Sequence, residues 1–202
     1  MHKRPISIVS INGSVNADSL SWKANHEVVE HLTSERENCH LTVIDLNDTM
    51  LVKRSLNANN FKKFYQDVDS DYFIDLLKET DLLVINTPMI NFTYSPLIKN
   101  FIDAISIADK TFSYKYSNKG DAIGLLSNLK VIIIGTQGAP KDWYPFTNHI
   151  SNLEGIFKFL GANQVETYLI EGTKVSPKKD MTHEEILKAI DNDLKELANK
   201  IN

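Results

Sequence analysis

Apolar residues fall in five short runs, separated by longer stretches in which they recur three and four positions apart. The runs are Ile6-Ile8-Val9-Ile11, Leu41-Val43-Ile44-Leu46, Leu82 to Ile85, Val131 to Ile134 and Val165 to Ile170. Each is too short for a buried helix, and the wholly apolar third and fourth have the composition of central strands in a parallel sheet. Helical spacing is carried by Leu20, Ala24, Val28 and Leu32, then by Tyr72, Phe73, Leu76 and Leu77. It returns in Leu97, Ile98, Phe101, Ile102 and Ile105, in Ile150, Leu153, Ile156, Phe157 and Leu160, and in Leu187, Ile190, Leu194, Leu197 and Ile201.

Punctuation between the runs agrees with this reading. Ser95-Pro96 supplies an N-cap and a pre-set first residue for a helix predicted over 96–107. Thr147 is the expected cap of the following helix, Gly161 its stop, and Thr182-His183-Glu184-Glu185 a capping box for the last. Strands alternating with helices predict a single α/β domain over residues 1–202, a doubly wound five-stranded parallel sheet in the order 2-1-3-4-5. Residues 47–68 are long for a connection and predict an excursion with a short helix. Thr111 to Tyr116 alternates aromatics and reads as a surface hairpin, a dimer contact or a pocket wall.

In that strand order the loops after strands one, three and four meet at the switch point, where such sheets bind ligands. Asn12 to Ser21 is built of small and hydroxyl-bearing residues ahead of a helix, an arrangement able to hold a phosphate through backbone N–H groups and hydroxyls. Without Lys or Arg it suits one phosphate monoester, and read alone it is equally a plain capping loop. Neither G-x-G-x-x-G nor a Walker pattern occurs. The second loop is Asn86 to Phe92, and the third is Gly135-Thr136-Gln137-Gly138-Ala139-Pro140.

Composition narrows the partners. With 22 basic and 26 acidic side chains the net charge is −4, so no overall positive field favours nucleic acid or an anionic membrane. Cys39 is alone, the chain opens on no signal-peptide pattern, and no apolar stretch approaches a bilayer span, which together predict a reduced, cytoplasmic protein. The six histidines have no metal-ligand spacing and most read as solvated; His149, near the third loop, is the one that could belong to the site, with a surface histidine the preferred reading. No metal is expected.

One stretch resembles a known family. Pro88-Met89-Ile90-Asn91-Phe92, followed by Leu97-Ile98-Lys99-Asn100, Phe101-Ile102-Asp103 and Thr111-Phe112-Ser113-Tyr114, is similar to the signature of the FMN-dependent NADH:quinone oxidoreductases, or azoreductases, of flavodoxin-like fold. The resemblance extends to Ser19-Leu20-Ser21, the Gly-bearing third loop and Glu171-Gly172. It implies that Ser10, Ser19 and Ser21 hold the FMN phosphate and ribityl end. Met89, Ile90, Asn91 and Phe92 would lie along the isoalloxazine ring, and Thr136, Gln137, Gly138 and Ala139 along its pyrimidine side. Tyr114 and Phe159 would line a substrate pocket completed across a homodimer interface. Ile90 stands where Tyr is usual, Ala139 replaces the second glycine of a pair, and Ile107-Ala108-Asp109 replaces an Arg-x-Gly.

The implied chemistry is hydride transfer from NADH or NADPH to flavin N5, then to a quinone, azo or nitro acceptor in a ping-pong order. It asks for no side-chain nucleophile, in keeping with the lack of any Ser-His-Asp or Cys-His grouping. A flavodoxin-type electron carrier is the rival class; such carriers are usually strongly acidic, unlike this chain. A carrier-protein phosphodiesterase would need an activated nucleophile or metal ligands that the sequence does not offer. A flavin-free interaction protein of the same fold is the third alternative.

Overall fold

The computed structural model describes residues 4–34, 36, 38–115 and 121–201. His2 and Tyr116, considered above, lie outside the described residues. The main sheet has five parallel strands: β1 (Ile6–Asn12), β2 (Cys39–Asp45), β3 (Leu82–Pro88), β6 (Lys130–Thr136) and β7 (Gln164–Ile170). Their spatial order is β2-β1-β3-β6-β7, the doubly wound arrangement expected from the alternation. The short β4 (Phe112–Ser113) and β5 (Ile123–Gly124) pair antiparallel as a separate hairpin.

Period-two alternation sorts the strand residues onto two faces. Val9, Ile11, Leu83, Ile85, Val131 and Ile133 face α3 (Ser70–Glu79), α4 (Pro96–Ile105) and α5 (His149–Phe159), whose Phe73, Phe101 and Phe157 fill that layer. Ile8, Leu82, Val84, Ile132 and Ile134 face α1 (Leu20–Ser34) and α6 (His183–Lys200). The inner strands are apolar on both faces because helices cover both. Edge strand β2 leaves Leu41 and Val43 exposed. The 47–68 excursion consists of tight turns and α2 (Phe64–Asp67), whose fully buried Phe64 anchors it to the α3/α4 layer.

Helix ends follow their local chemistry, with two departures from expectation. Ser95 accepts from the Ile98 N–H, and Thr182 and Glu185 form the reciprocal capping box. Gly161, at φ +107°, takes the left-handed conformation just past α5 that glycine adopts without strain. Thr147 does not cap α5: its hydroxyl donates to the Tyr144 carbonyl, and Asn148 precedes the helix without a side-chain cap. The fourth helix ends at Ile105 rather than 107, because Thr111 reaches back with its hydroxyl to the Ile105 carbonyl and starts the hairpin. Among the described residues no helix is long and apolar enough to cross a membrane, and no group of three His, Cys, Asp or Glu is placed to hold a metal ion.

Gly13 is the residue that lets the first loop lie against β3 and α4. A β-carbon there would sit 2.5 Å from the Asn86 carbonyl oxygen and 2.2 Å from Ile98 Cδ1, while the Gly13 carbonyl accepts the Ser95 hydroxyl. The side chain of Ile98 can turn away, but the β3 backbone cannot. Gly13→Ala is therefore expected to destabilise the fold by about 1–3 kcal/mol, read as a lowered urea midpoint; an unchanged midpoint would show that the loop relaxes freely.

Candidate functional site

The apolar columns on the α1 side of the sheet turn polar as they approach its C-terminal edge. Ile8 is followed at two-residue steps by Ser10 and Asn12, and Leu82 and Val84 by Asn86. Opposite them, Ser21 and Asn25 lie one helical turn apart on the buried face of α1. These side chains satisfy one another. Asn86 Nδ2 donates to Ser21 Oγ at 3.1 Å and Asn12 Oδ1 at 3.3 Å, and Asn86 Oδ1 accepts from Asn25 Nδ2 at 3.3 Å. Asn25 Nδ2 also reaches the Val84 carbonyl at 3.2 Å, and Asn25 Oδ1 accepts the Ser10 hydroxyl at 2.6 Å. Asn12 carries the chain outward: its Oδ1 accepts from the Ser14 N–H, and its Nδ2 donates to Asp45.

This network sets the first loop. Ser19 and Ser21 share a hydroxyl contact at 3.0 Å, and Ser19 Oγ also accepts from the Trp22 N–H, capping α1. Ser14 and Ser19 line a cavity of about 350 Å³ with Pro88 and Thr136 from the ends of β3 and β6. Of the serines singled out in the sequence, Ser19 lines the cavity at the helix entry, whereas Ser21 is fully buried behind it, engaged with Ser19 and Asn86, and does not line the cavity. Ser10 is buried as well, with its proton committed to Asn25.

The second loop is tied to the third at its start, where the Met89 N–H donates to the Thr136 carbonyl at 2.7 Å. Ile90 and Thr93 then exchange backbone hydrogen bonds around Asn91 and Phe92, both at positive φ (46° and 75°). Asn tolerates that region, but Phe there is a backbone outlier of the kind that surrounding structure must hold. It turns the Phe92 ring outward, half exposed, against Tyr144 and Phe146 at centroid distances of 5.6 and 5.2 Å. In the third loop the carbonyls of Gln137, Gly138 and Ala139 accept from the N–H groups of Thr173, Lys174 and Gly172. The N–H groups of Gly138 and Ala139 meet no acceptor among the described residues. Tyr114 and Phe159 both pack on Phe112, at 5.6 and 5.0 Å, and both remain largely exposed.

Several contributors were not foreseen from the sequence. Thr173, Lys174, Lys178 and Lys179, from the loop after β7, line the same cavity as the serines. The signal is present in the sequence, since three lysines follow β7 on the same sheet edge. Tyr144 and Phe146 joined Phe92 unannounced, as aromatics in a loop carry no period. His149 is not solvated: it is 3% exposed, its Nε2 has no hydrogen-bond partner, and it borders a cavity of about 200 Å³ with Gln137, Asn148 and Glu154. Burial holds its imidazole down to a pKa of about 4.

Residues 7–194 match a family model described as flavodoxin-like fold. The chain is 40% identical to the FMN-dependent NADH:quinone oxidoreductase of Malacoplasma penetrans (strain HF-2) over 173 residues, 86% of this chain and 82% of that protein. It is 38% identical to FMN-dependent NADH:quinone oxidoreductase 1 of Mesoplasma florum over 197 residues, 96% of this chain and 98% of that one. Among solved structures, the azoreductase from Bacillus anthracis str. Sterne superposes with a TM-score of 0.80 at 20% identity, covering 96% of this chain and 99% of its own. An FMN-dependent NADH-azoreductase from Bacillus anthracis str. Ames Ancestor, in complex with FMN, gives 0.75 at 21% identity, covering 96% and 98%.

The buried imidazole makes stability pH-dependent. Unfolded, His149 titrates near the ordinary value of about 6.5; folded, it stays neutral down to about 4. Above about pH 6.5 both states are neutral and the fold keeps its full stability. Below it the unfolded chain takes up a proton that the native state refuses. Unfolding free energy from this residue should fall between about pH 6.5 and about pH 4 by up to about 3 kcal/mol. Urea titrations across that window should show the fall in the wild type and a flatter profile in His149→Phe. Equal slopes would contradict the buried, unpaired imidazole.

Proposed function

The chain belongs to the FMN-dependent NADH:quinone oxidoreductases of flavodoxin-like fold, and from that premise we propose that it passes hydride from NADH or NADPH, through bound FMN, to a quinone, azo or nitro acceptor in a ping-pong order. The observation that carries this reading is the pair of unengaged N–H groups at Gly138 and Ala139, on the sheet edge that also holds the serine-lined cavity. A flavin needs donors of that kind at one end and a phosphate cradle at the other, and the residues present fit both needs.

When bound, FMN supplies hydride acceptance and donation at its N5 atom. The chain's own residues bind and orient. Gly138 and Ala139 would offer their N–H groups to the flavin ring, stabilising the negative charge it gains on reduction, with Thr136 and Gln137 beside them. Met89, Ile90, Asn91 and Phe92 would form the ledge along the ring. Ser19, with the first N–H groups of α1, would take the phosphate and ribityl end, and the buried Ser21 would hold Ser19 in place from behind. Ser10 positions Asn25 from beneath. Tyr114 and Phe159 line the acceptor pocket, which a second copy of the chain completes; their exposure, and that of the Phe92, Tyr144 and Phe146 group, supports such a homodimer. Ile90 offers no aromatic hydroxyl, so acceptors are oriented by stacking and by flavin contacts. The working compartment is the cytoplasm, where the single Cys39 stays reduced.

Initial velocities measured against NADH at several fixed benzoquinone concentrations should give parallel double-reciprocal lines, because both substrates use one flavin face in turn. Intersecting lines would contradict that order. Tyr114→Ala is expected to raise KM for quinone about tenfold, from loss of one stacking partner, with FMN content unchanged. Light scattering at micromolar concentration should report a dimer, and a monomer would count against the shared pocket.

A further inference from the structure

The loop after β7 runs against the charge of the protein as a whole. The chain carries a net charge of −4, yet Lys174, Lys178 and Lys179 all line the serine cavity, where the only acid is Asp18. Asp18 is already paired with Lys23 at 2.9 Å and lies 3.4 Å from His183, and these neighbours hold its carboxyl below the usual range. The acids of the same loop are engaged elsewhere: Glu171 accepts from the Lys141 N–H, and Asp180 from the Ser176 hydroxyl. Lys178 is fixed by donating to the Glu171 carbonyl at 2.8 Å, which leaves two of its three N–H donors free. Lys174 and Lys179 have no acidic partner among the described residues, and the stem of Lys174 crosses over Gly138.

A cavity with neutral donors on one wall and three uncompensated ammonium groups on another is built for a compact dianion. We infer that Lys174, Lys178 and Lys179 close over the phosphate monoester of the flavin, supplying the charge that the first loop lacks and making the site select FMN over riboflavin. This rests on the FMN reading above. A 2′-phosphate on the nicotinamide nucleotide has the same chemistry, but Ser14, Ser19 and the entry to α1 line this cavity, which favours the flavin's own phosphate as the source. The arrangement divides the work. The serines and α1 give direction, while the lysines give long-range attraction that salt can screen.

The test is equilibrium binding to the apoprotein, followed by flavin fluorescence, with FMN and riboflavin titrated in parallel at low and high salt. Wild-type affinity for FMN should fall with salt and that for riboflavin should not. The combined variant Lys174→Gln, Lys178→Gln, Lys179→Gln should bind FMN about tenfold or more weakly, lose the salt dependence, and bind riboflavin as before. The corresponding triple Arg variant should restore FMN binding. Unchanged FMN affinity in the Gln variant would overturn the inference, as would equal weakening of both flavins, or a raised KM for NADPH with FMN affinity intact. Wild-type protein that binds neither flavin would remove the FMN reading itself, whereas FMN binding indifferent to the lysines removes only this inference.

Discussion

On the central strand of the parallel sheet, near its C-terminal edge, one amide is buried away from water, and residues of β1 and α1 are arranged to satisfy it. Asn86 is fully buried, and an unpaired amide in that position would cost about 1–3 kcal/mol or more. Its partners come from β1 and α1: Asn12, Ser21 and Asn25. Satisfying Asn86 therefore fixes the distance between the ends of β1 and β3 and the entry of α1. Those are the elements on either side of the proposed phosphate cradle. Such a network ties the ends of β1 and β3 to the entry of α1 within the protein itself, the kind of pre-ordering that lowers the ordering cost of binding a ligand.

The remaining loops are held by the same logic, one donor at a time. Met89 is bound to the end of β6, Ser95 to Gly13, and the carbonyls of residues 137–139 to the loop after β7. What these ties leave over is informative. The N–H groups of Gly138 and Ala139 and the ammonium groups of Lys174 and Lys179 are donors without acceptors among the described residues. They all stand on one edge of the sheet. A ligand with a carbonyl-rich ring at one end and a phosphate at the other matches that surplus of donors.

Most of the scaffold was legible in the sequence because strands and helices follow from local spacing. The five apolar runs became the five parallel strands in the expected order, and the caps at Ser95 and Thr182 formed as written. Function-bearing contacts were less legible where they depend on which face a residue takes. Ser10 belongs to the buried column of Ile8 and Asn12, so its hydroxyl meets Asn25 rather than open space. His149 reads as a surface residue in the sequence, yet at the start of α5 it is 3% exposed, because which face of a helix end is covered does not follow from local spacing. Thr147 had the right chemistry for a cap, but the Tyr144 carbonyl competes for its hydroxyl. The lysines after β7 are distant in sequence from the serines, and only the fold brings both to one cavity.

Family and fold leave the central claim open to one direct experiment. Purified protein loaded with FMN is titrated with NADH under anaerobic conditions while the flavin absorbance is followed, and a quinone is then added. The account predicts bleaching complete at about one equivalent of NADH per flavin and full return of colour with about one equivalent of quinone. A flavin that NADH cannot bleach, or a reduced flavin that quinone cannot reoxidise, would contradict it.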